Sequence, residues 1–200
     1  MDILVFGAPH LDRWDNRAFS ATVAGPTDRH DTYERDVADE PPGEPISRGP
    51  QRRVGAAILR YSIFPPEIVE AILRRPIEVG DTVGVHYRRF RVVRLFFAAR
   101  VTEVFDGPDG EWWRTGFTYR TLVGHPELGE ETFSSEKQLA TGRVRVALRS
   151  WSRPGTWLAR WFAPIVRRMQ VGASLHALDH LESIAKADGS AASSSMRRFV

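Results

Sequence analysis

The hydrophobic period of the chain changes near residue 153, and this change constrains the fold more than any other feature. From Arg143 to Ser152, apolar residues alternate with polar ones, mostly arginines, which predicts a half-buried strand. From Thr156 to about Lys186, apolar residues recur every three or four positions, which predicts a long amphipathic helix that contains Pro164. A strand-rich stretch therefore gives way to one long helix.

Further strand-like segments precede this point and are separated by turn residues. They cover residues 82–90, 92–105, 112–122 and 130–139. The sequence DGPDG at residues 106–110 predicts a hairpin turn, and Thr141-Gly142 predicts another bend. Residues 54–64 are expected to form a strand, and Pro65-Pro66 to begin a short helix that ends before Pro76.

Consecutive antiparallel strands followed by one helix indicate an α+β fold. We predict a curved antiparallel sheet of about six or seven strands packed on the long C-terminal helix, the helix-grip order of START-like and Bet v 1-like domains. This domain is expected to span residues 53–187. Residues 1–52, rich in Asp, Glu, Pro and Gly after residue 25, are predicted to form a loop-rich extension, and residues 188–200 a flexible tail.

Composition excludes several kinds of chemistry. The 200 residues contain no cysteine, which removes disulfides, thiolate nucleophiles and cysteine-bound zinc. The net charge of +3 is not concentrated in a basic stripe, so no nucleic-acid partner is expected. No segment reaches the roughly 18 apolar residues of a membrane helix, and the N-terminus lacks the parts of a signal peptide. We therefore expect a cytoplasmic protein, and its arginine-rich base usage is typical of a GC-rich bacterial genome.

A loop rich in ionisable residues joins two of the predicted strands, within FTYRTLVGHPELGEETF at residues 117–133. Alternation favours Glu131 on the inner, more apolar face of the sheet and Glu130 on the other. A buried Glu131 would have a raised pKa and could act as a general acid or base, with His125 and Tyr119 as further catalytic candidates. The alternative is that His125 shapes the turn and the glutamates accept backbone N–H bonds.

Side chains of the sheet and of the long helix are candidates for lining a cavity of about 300 Å³ or more between the two layers. The candidate ligand-binding residues are Tyr61, Tyr87, Phe117, Thr121, Phe133, Trp161 and Ile165. His176 and His180 could clamp a metal from one helix face, but their spacing is equally typical of a solvated face. No nucleophile elbow or phosphate-binding loop occurs, and no metal or cofactor is expected.

Five segments resemble those of a widespread, largely uncharacterised family of bacterial and plant domains. They are YSIFPPE, VGDTVGV, ARVTEVFD, GFTYRTLVGHPELGEETF and SWSRPGTWLARWFAPIVRRMQ, between residues 61 and 170. The GHPE loop followed by Gly-Glu-Glu is the most specific of them. The family carries no established catalytic residues. A START-like relationship implies binding of a lipid-sized or polyketide-sized apolar molecule, and a plant relative associated with the plastid envelope implies channel activity.

Three functions remain open at this point. The first is binding of an apolar or polyketide-like small molecule between the sheet and the C-terminal helix. The second is a cofactor-free cyclase, dehydratase or isomerase of secondary metabolism on the same scaffold, with Tyr, His and Glu side chains as catalytic groups. The third is a membrane-associated or pore-forming protein, which the predicted helices and the missing signal sequence disfavour.

Overall fold

The computed structural model describes residues 2–3, 11–89, 93–125, 127–154 and 163–187. Within them, the helices are α1 (Asp12–Asp15), α2 (Pro50–Leu59) and α3 (Ala163–Lys186). The strands are β1 (Asp2–Ile3), β2 (Arg29–Asp39), β3 (Val69–Ile72), β4 (Thr82–Arg89), β5 (Val93–Asp109), β6 (Trp112–Thr121), β7 (Glu127–Gln138) and β8 (Arg143–Pro154). Residues 155–162, predicted to begin the long helix, and the predicted tail at 188–200 lie outside the described residues.

The described strands form one eight-stranded antiparallel sheet. Seven of them follow the order β2-β8-β7-β6-β5-β4-β3, and the short β1 pairs with β5. Strands β3 to β8 are neighbours in chain order, whereas β2 joins the edge of the sheet beside β8. The predicted α+β fold, a curved antiparallel sheet with a long C-terminal helix, is confirmed.

Helices α2 and α3 cover one face of this sheet, which we call the inner face. Val144, Val146 and Leu148 of β8 are buried there, as their alternation predicts. They belong to the same apolar cluster as Leu178 and Leu181 of α3. Each such side chain contributes about 1.5–3 kcal/mol when it leaves water, so this cluster holds the C-terminal half of α3 on the sheet.

Two glycines allow neighbouring strands to approach closely. A Cβ atom at Gly116 would lie 2.0 Å from the carbonyl oxygen of Phe133, and one at Gly129 would lie 2.1 Å from that of Trp151. Any larger residue would push the strands apart at these points. The register also shifts once between β5 and β6 and once between β2 and β8, and such irregularities increase bending and twist.

The predicted strand at residues 54–64 is wrong, because Pro50–Leu59 form α2. Proline suits the first turn of a helix, where its missing N–H leaves no bond unmade. The buried residues recur at helical spacing on the side that faces the sheet: Gln51, Val54, Gly55, Ala57 and Ile58. A short apolar run fits a strand or a helix equally well by period, and packing on the sheet decided between them.

The predicted helix after Pro65-Pro66 is also wrong, because Val69–Ile72 form the edge strand β3. The N–H groups of Ile68 and Val69 donate to the carbonyl oxygen of Pro65, so a single turn replaces the helix. Ladder pairing with β4 from Val69 to Ile72 then satisfies the backbone. Strand formation here depends on pairing with a partner strand, and helix propensity does not take that pairing into account.

Part of the predicted loop-rich extension belongs to the sheet, so the loop prediction is wrong for Arg29–Asp39. These residues pair with β8 along their length as β2. Tyr33 and Val37 supply apolar contacts with the inner core, while charged residues fill much of the rest of the strand. This strand was missed because so few apolar residues leave no clear period of two.

Candidate functional site

A row of side chains with polar groups crosses the inner face of the sheet. The register places Asp31 of β2 opposite Ser150 of β8, Ser150 opposite Glu131 of β7, and Glu131 opposite Tyr119 of β6. The Tyr119 hydroxyl donates a 2.7 Å hydrogen bond to Oε2 of Glu131. Glu131 therefore points inward, as alternation along β7 predicts, and it has the catalytic candidate Tyr119 as its direct partner.

Aromatic rings pack directly beside this row. Tyr61, which follows α2, stacks on Tyr119 with ring centroids 6.3 Å apart and an angle of 7° between the planes. Interacting rings in this cluster lie 5.4–6.4 Å apart, and its members are Tyr61, Phe64, Phe117, Tyr119 and Phe133. Tyr61, Phe117 and Phe133 were predicted from the sequence, whereas Phe64 was missed because its segment was assigned to a strand end.

Burial raises the pKa of Glu131 to about 7; the Tyr119 hydrogen bond opposes this shift, and the negative charges of Glu127 and Asp31 add to it. The residue nevertheless keeps partial solvent exposure, while Tyr119 is only 8% exposed. The residue therefore has part of its surface accessible although its carboxyl group is desolvated. A pKa near 7 is also the value that suits a general acid or base at neutral pH.

The two tyrosines of the site remain protonated at neutral pH. Burial raises the pKa of Tyr119 well above its ordinary value, and the nearby charge of Glu131 raises it further. Burial also raises the pKa of Tyr61, partly offset by its interaction with the Tyr119 hydroxyl. Both phenols therefore keep their O–H groups in an apolar setting, and that of Tyr119 is donated to Glu131.

A second polar group lies where α3 crosses the inner face, and we call it the rim cluster: Arg29, Asp31, Glu127, Arg167 and Gln170. Arg167 of α3 binds Asp31 through two hydrogen bonds of 2.7 and 2.8 Å. Arg29 donates to Asp31 at 3.1 Å and to Gln170 at 3.2 Å, and Gln170 donates to Glu127. Burial raises the pKa of Glu127. Most of this cluster escaped sequence analysis, since its members come from three separate parts of the chain.

His125 holds the turn that leads into β7. Its Nδ1 lies 2.8 Å from the carbonyl oxygen and 3.1 Å from the backbone nitrogen of Glu127, and its ring packs edge-on against Phe97 at 4.6 Å between centroids. Burial lowers its pKa to about 4, so the ring is neutral at pH 7. Within the described residues no hydrogen bond joins His125 to Glu131, and its position matches the turn-shaping alternative.

Of the other predicted site residues, only Thr121 has a described side chain. The Thr121 hydroxyl accepts from the N–H of Gly129 at 2.9 Å and contacts the Ser20 hydroxyl at 2.5 Å, so it ties strands and loop together. The side chains of Tyr87 and Ile165, and the whole of Trp161, lie outside the described residues.

The described part of the chain has neither a cluster of metal ligands nor a membrane-spanning helix. No group of three or more His, Asp or Glu side chains there could hold a metal ion, and His176 is exposed on α3. Among the same residues, no helix combines the length and the apolar character needed to cross a membrane.

The antiparallel sheet and its C-terminal helix have the helix-grip, Bet v 1-like fold. Truncated norcoclaurine synthase from Thalictrum flavum superimposes with a TM-score of 0.51 and 8% identity, covering 84% of this chain and 99% of that one. A major latex-like protein from Panax ginseng gives a TM-score of 0.49 and 9% identity, covering 80% and 99%. At such low identity the likeness shows the architecture alone.

The chain belongs to the family described as "Domain of unknown function (DUF1990)", whose model matches residues 17–179. A UPF0548 protein of Dictyostelium discoideum is 31% identical over 144 residues, which cover 68% of this chain. The match spans 64% of that relative's own length. The predicted membership of a largely uncharacterised family is confirmed.

Proposed function

We propose that this protein binds an apolar, ring-containing small molecule of polyketide-like size in a recess between the inner face and α3. The observation that carries this proposal is the Glu131 carboxyl. It lies on the inner face, is desolvated enough to hold its pKa near 7, and makes its hydrogen bond to a neutral phenol. Yet the residue keeps part of its surface accessible.

Folding alone gives no reason for a carboxyl at this position. Removing an ionised carboxylate from water without a cationic partner is unfavourable, and an apolar residue would pack against the aromatic cluster without that cost. Unfavourable groups of this kind are concentrated at functional sites. Phe117 and Phe133 are fully buried behind this carboxyl and make its surroundings apolar. Glu131 with Tyr119 supplies the few polar groups that orient a ligand.

A second candidate function is a cofactor-free cyclase, dehydratase or isomerase in the same recess. The pKa of Glu131 near 7 favours it, because such a carboxyl can take up and release a proton at neutral pH. The phenol of Tyr61 could donate a hydrogen bond to a substrate oxygen as charge develops on it, while the single O–H of Tyr119 is donated to Glu131. A helix-grip protein of similar architecture bears the name of a synthase.

We also propose that the GHPE-x-GEE loop marks the family, since its residues have separate positional roles. His125 holds the turn, and Glu127 joins the rim cluster. Gly129 permits the close approach to the backbone of β8, and Glu131 enters the site. Sequences of the family should keep these positions together wherever they keep the recess.

The test of binding is native mass spectrometry of the protein purified from its own host. We expect a bound small molecule on the wild type and on Glu130→Gln, because Glu130 pairs with Arg120 on the opposite face. The variants Glu131→Gln and Tyr119→Phe should carry less of it. Equal occupancy in all four proteins would place the ligand elsewhere, and the absence of a ligand from the wild type, together with no binding of an apolar fluorescent dye, would reject the recess.

A further inference from the structure

The ionisable groups around the site do not balance in charge. Three carboxyl groups face this part of the inner surface, those of Asp31, Glu127 and Glu131. Two guanidinium groups accompany them, and both Arg29 and Arg167 bind Asp31. Three carboxylates against two guanidinium groups leave one negative charge when all are ionised. Within the described residues, this excess charge has no protein counterion.

The excess falls on Glu131. Its hydrogen bond from Tyr119 reaches Oε2, and no described donor binds Oε1. The charges that influence its pKa are the negative ones of Glu127 and Asp31, and no described cation is among them. A carboxylate in this position attracts any cation that can enter the recess.

A second buried glutamate differs from Glu131 because arginine side chains stabilise its ionised form. Glu136, on the opposite face of β7, is 1% exposed. Burial would raise its pKa, but hydrogen bonds from Arg149, Ser134 and Arg145 outweigh this and hold it at about 2. Arg114 also binds it at 3.2 Å. The chain thus places three arginines around one buried glutamate and, in the described part, none beside the other.

We infer that the recess takes an apolar, ring-bearing ligand with one protonated amine, and that the ammonium group pairs with Glu131. This inference rests on the proposed binding function and specifies its ligand class. The ammonium would donate to the unused Oε1 atom and supply the missing positive charge. The rings would pack on Tyr61 and Tyr119, whose faces also attract cations.

Titratable groups face Glu131 from most of the surrounding elements, while β8 contributes Ser150. They are Tyr119 from β6, Tyr61 after α2, Glu127 from β7 and Asp31 from β2. Arg29 of β2 and Arg167 of α3 bind Asp31. The tyrosines stay protonated at neutral pH and Arg167 is held by Asp31. Glu131, with a pKa of about 7, therefore changes most between pH 6 and pH 8. Its ionised fraction rises from roughly one eleventh to roughly ten elevenths, a change of about tenfold.

The experiment compares two probes that differ in one group, 1-naphthylmethylamine and 1-naphthalenemethanol, by calorimetric titration of the full chain. The amine is a cation over most of this range, while the alcohol is neutral. We expect the dissociation constant of the amine to fall about tenfold from pH 6 to pH 8 and that of the alcohol to stay constant or rise. In Glu131→Gln this pH dependence should disappear, while in the control Glu130→Gln it should persist.

The outcomes separate this inference from the proposed function. Binding of both probes with no preference for the amine, or an amine preference that survives in Glu131→Gln, would overturn the ligand class and leave the recess intact. Binding of neither probe to a folded wild type would overturn the recess, and the ligand class with it. Thermal unfolding of each variant shows whether a loss of binding is a loss of fold.

Discussion

The Tyr119 hydroxyl and the Glu131 carboxyl meet at 2.7 Å across the paired strands β6 and β7, on the face that α2 and α3 cover. The bond joins two positions opposite each other in the ladder, so its geometry is set by backbone pairing. It leaves the Glu131 carboxyl with a neutral partner in a desolvated position. We expect this position of Glu131 to affect the free energy of unfolding as well as ligand binding.

Replacing Glu131 with glutamine should stabilise the protein at high pH. The pKa of this carboxyl is about 7 in the folded state against 4.5 ordinarily. As pH rises through this interval, the unfolded chain loses its proton first, so the free energy of unfolding falls and stays lower above pH 7. Glu131→Gln removes this loss and keeps an oxygen for Tyr119. We expect the free energy of unfolding of this variant to exceed that of wild type by about 2 kcal/mol at pH 8 and to differ little from it at pH 4, as measured by urea unfolding. A less stable variant at pH 8 would show that ionised Glu131 carries no penalty.

His125 should make the protein sensitive to acid in a defined interval. Its pKa is about 4 in the folded state and 6.5 ordinarily, with burial as the main cause. Between these values the unfolded chain binds a proton that the folded chain does not, so stability falls as pH drops from 6.5 to 4. The free energy of unfolding, measured with urea, should fall over this interval by about 2 kcal/mol less in His125→Asn than in wild type. An NMR titration of the imidazole with a midpoint near 6.5 would contradict the assignment.

The pair Lys137–Glu40 should be a strong stability determinant. Lys137 Nζ lies 3.0 Å from Glu40 Oε2, and both side chains are 0% exposed. Glu40 also accepts from the backbone N–H of Gln51, so it anchors the start of α2. Lys137→Met leaves this carboxylate buried without a counterion and should lower the free energy of unfolding by about 3–5 kcal/mol.

The chain provides a matched control for that substitution. Lys186 pairs with Glu182 on α3, but its side chain is 64% exposed. Lys186→Met should therefore change the free energy of unfolding by less than about 1 kcal/mol. Equal effects of the two lysine substitutions in urea unfolding would refute a special role for the buried pair.

Two glycines with positive φ angles should differ strongly in how well they tolerate substitution by alanine. Gly142 has φ of 82°, and a Cβ there would lie 1.7 Å from the carbonyl oxygen of Glu40. Gly43 has φ of 101°, and nothing lies within 4 Å of its hypothetical Cβ. Gly43→Ala should cost about 1 kcal/mol for the left-handed conformation alone, and Gly142→Ala about 3–5 kcal/mol because the clash adds to it. Thermal unfolding of both variants measures the difference, and equal losses would show that the loop yields freely.

Local patterns predicted much of the sheet and part of the site. The alternation in β8 identified its buried residues, and the same reasoning placed Glu131 with Phe133 on one face of β7 and Tyr119 with Phe117 on one face of β6. It worked because a strand alternates its side chains strictly, and a sheet covered on one face sorts apolar from polar residues. It did not work for β2, whose inner face is largely charged where it meets the rim cluster.

The sequence by itself determined which side chains share a face and that a long helix follows the sheet, because both depend on the period of neighbouring residues. Tertiary structure decided the rest. It made α2 a helix and β3 a strand, brought Asp31 and Arg167 together, and gave Lys137 a buried carboxylate. It also left Glu131 with Tyr119 as its hydrogen-bond partner. These outcomes depend on contacts between residues far apart in the chain, and the free energy of such contacts outweighs local preference.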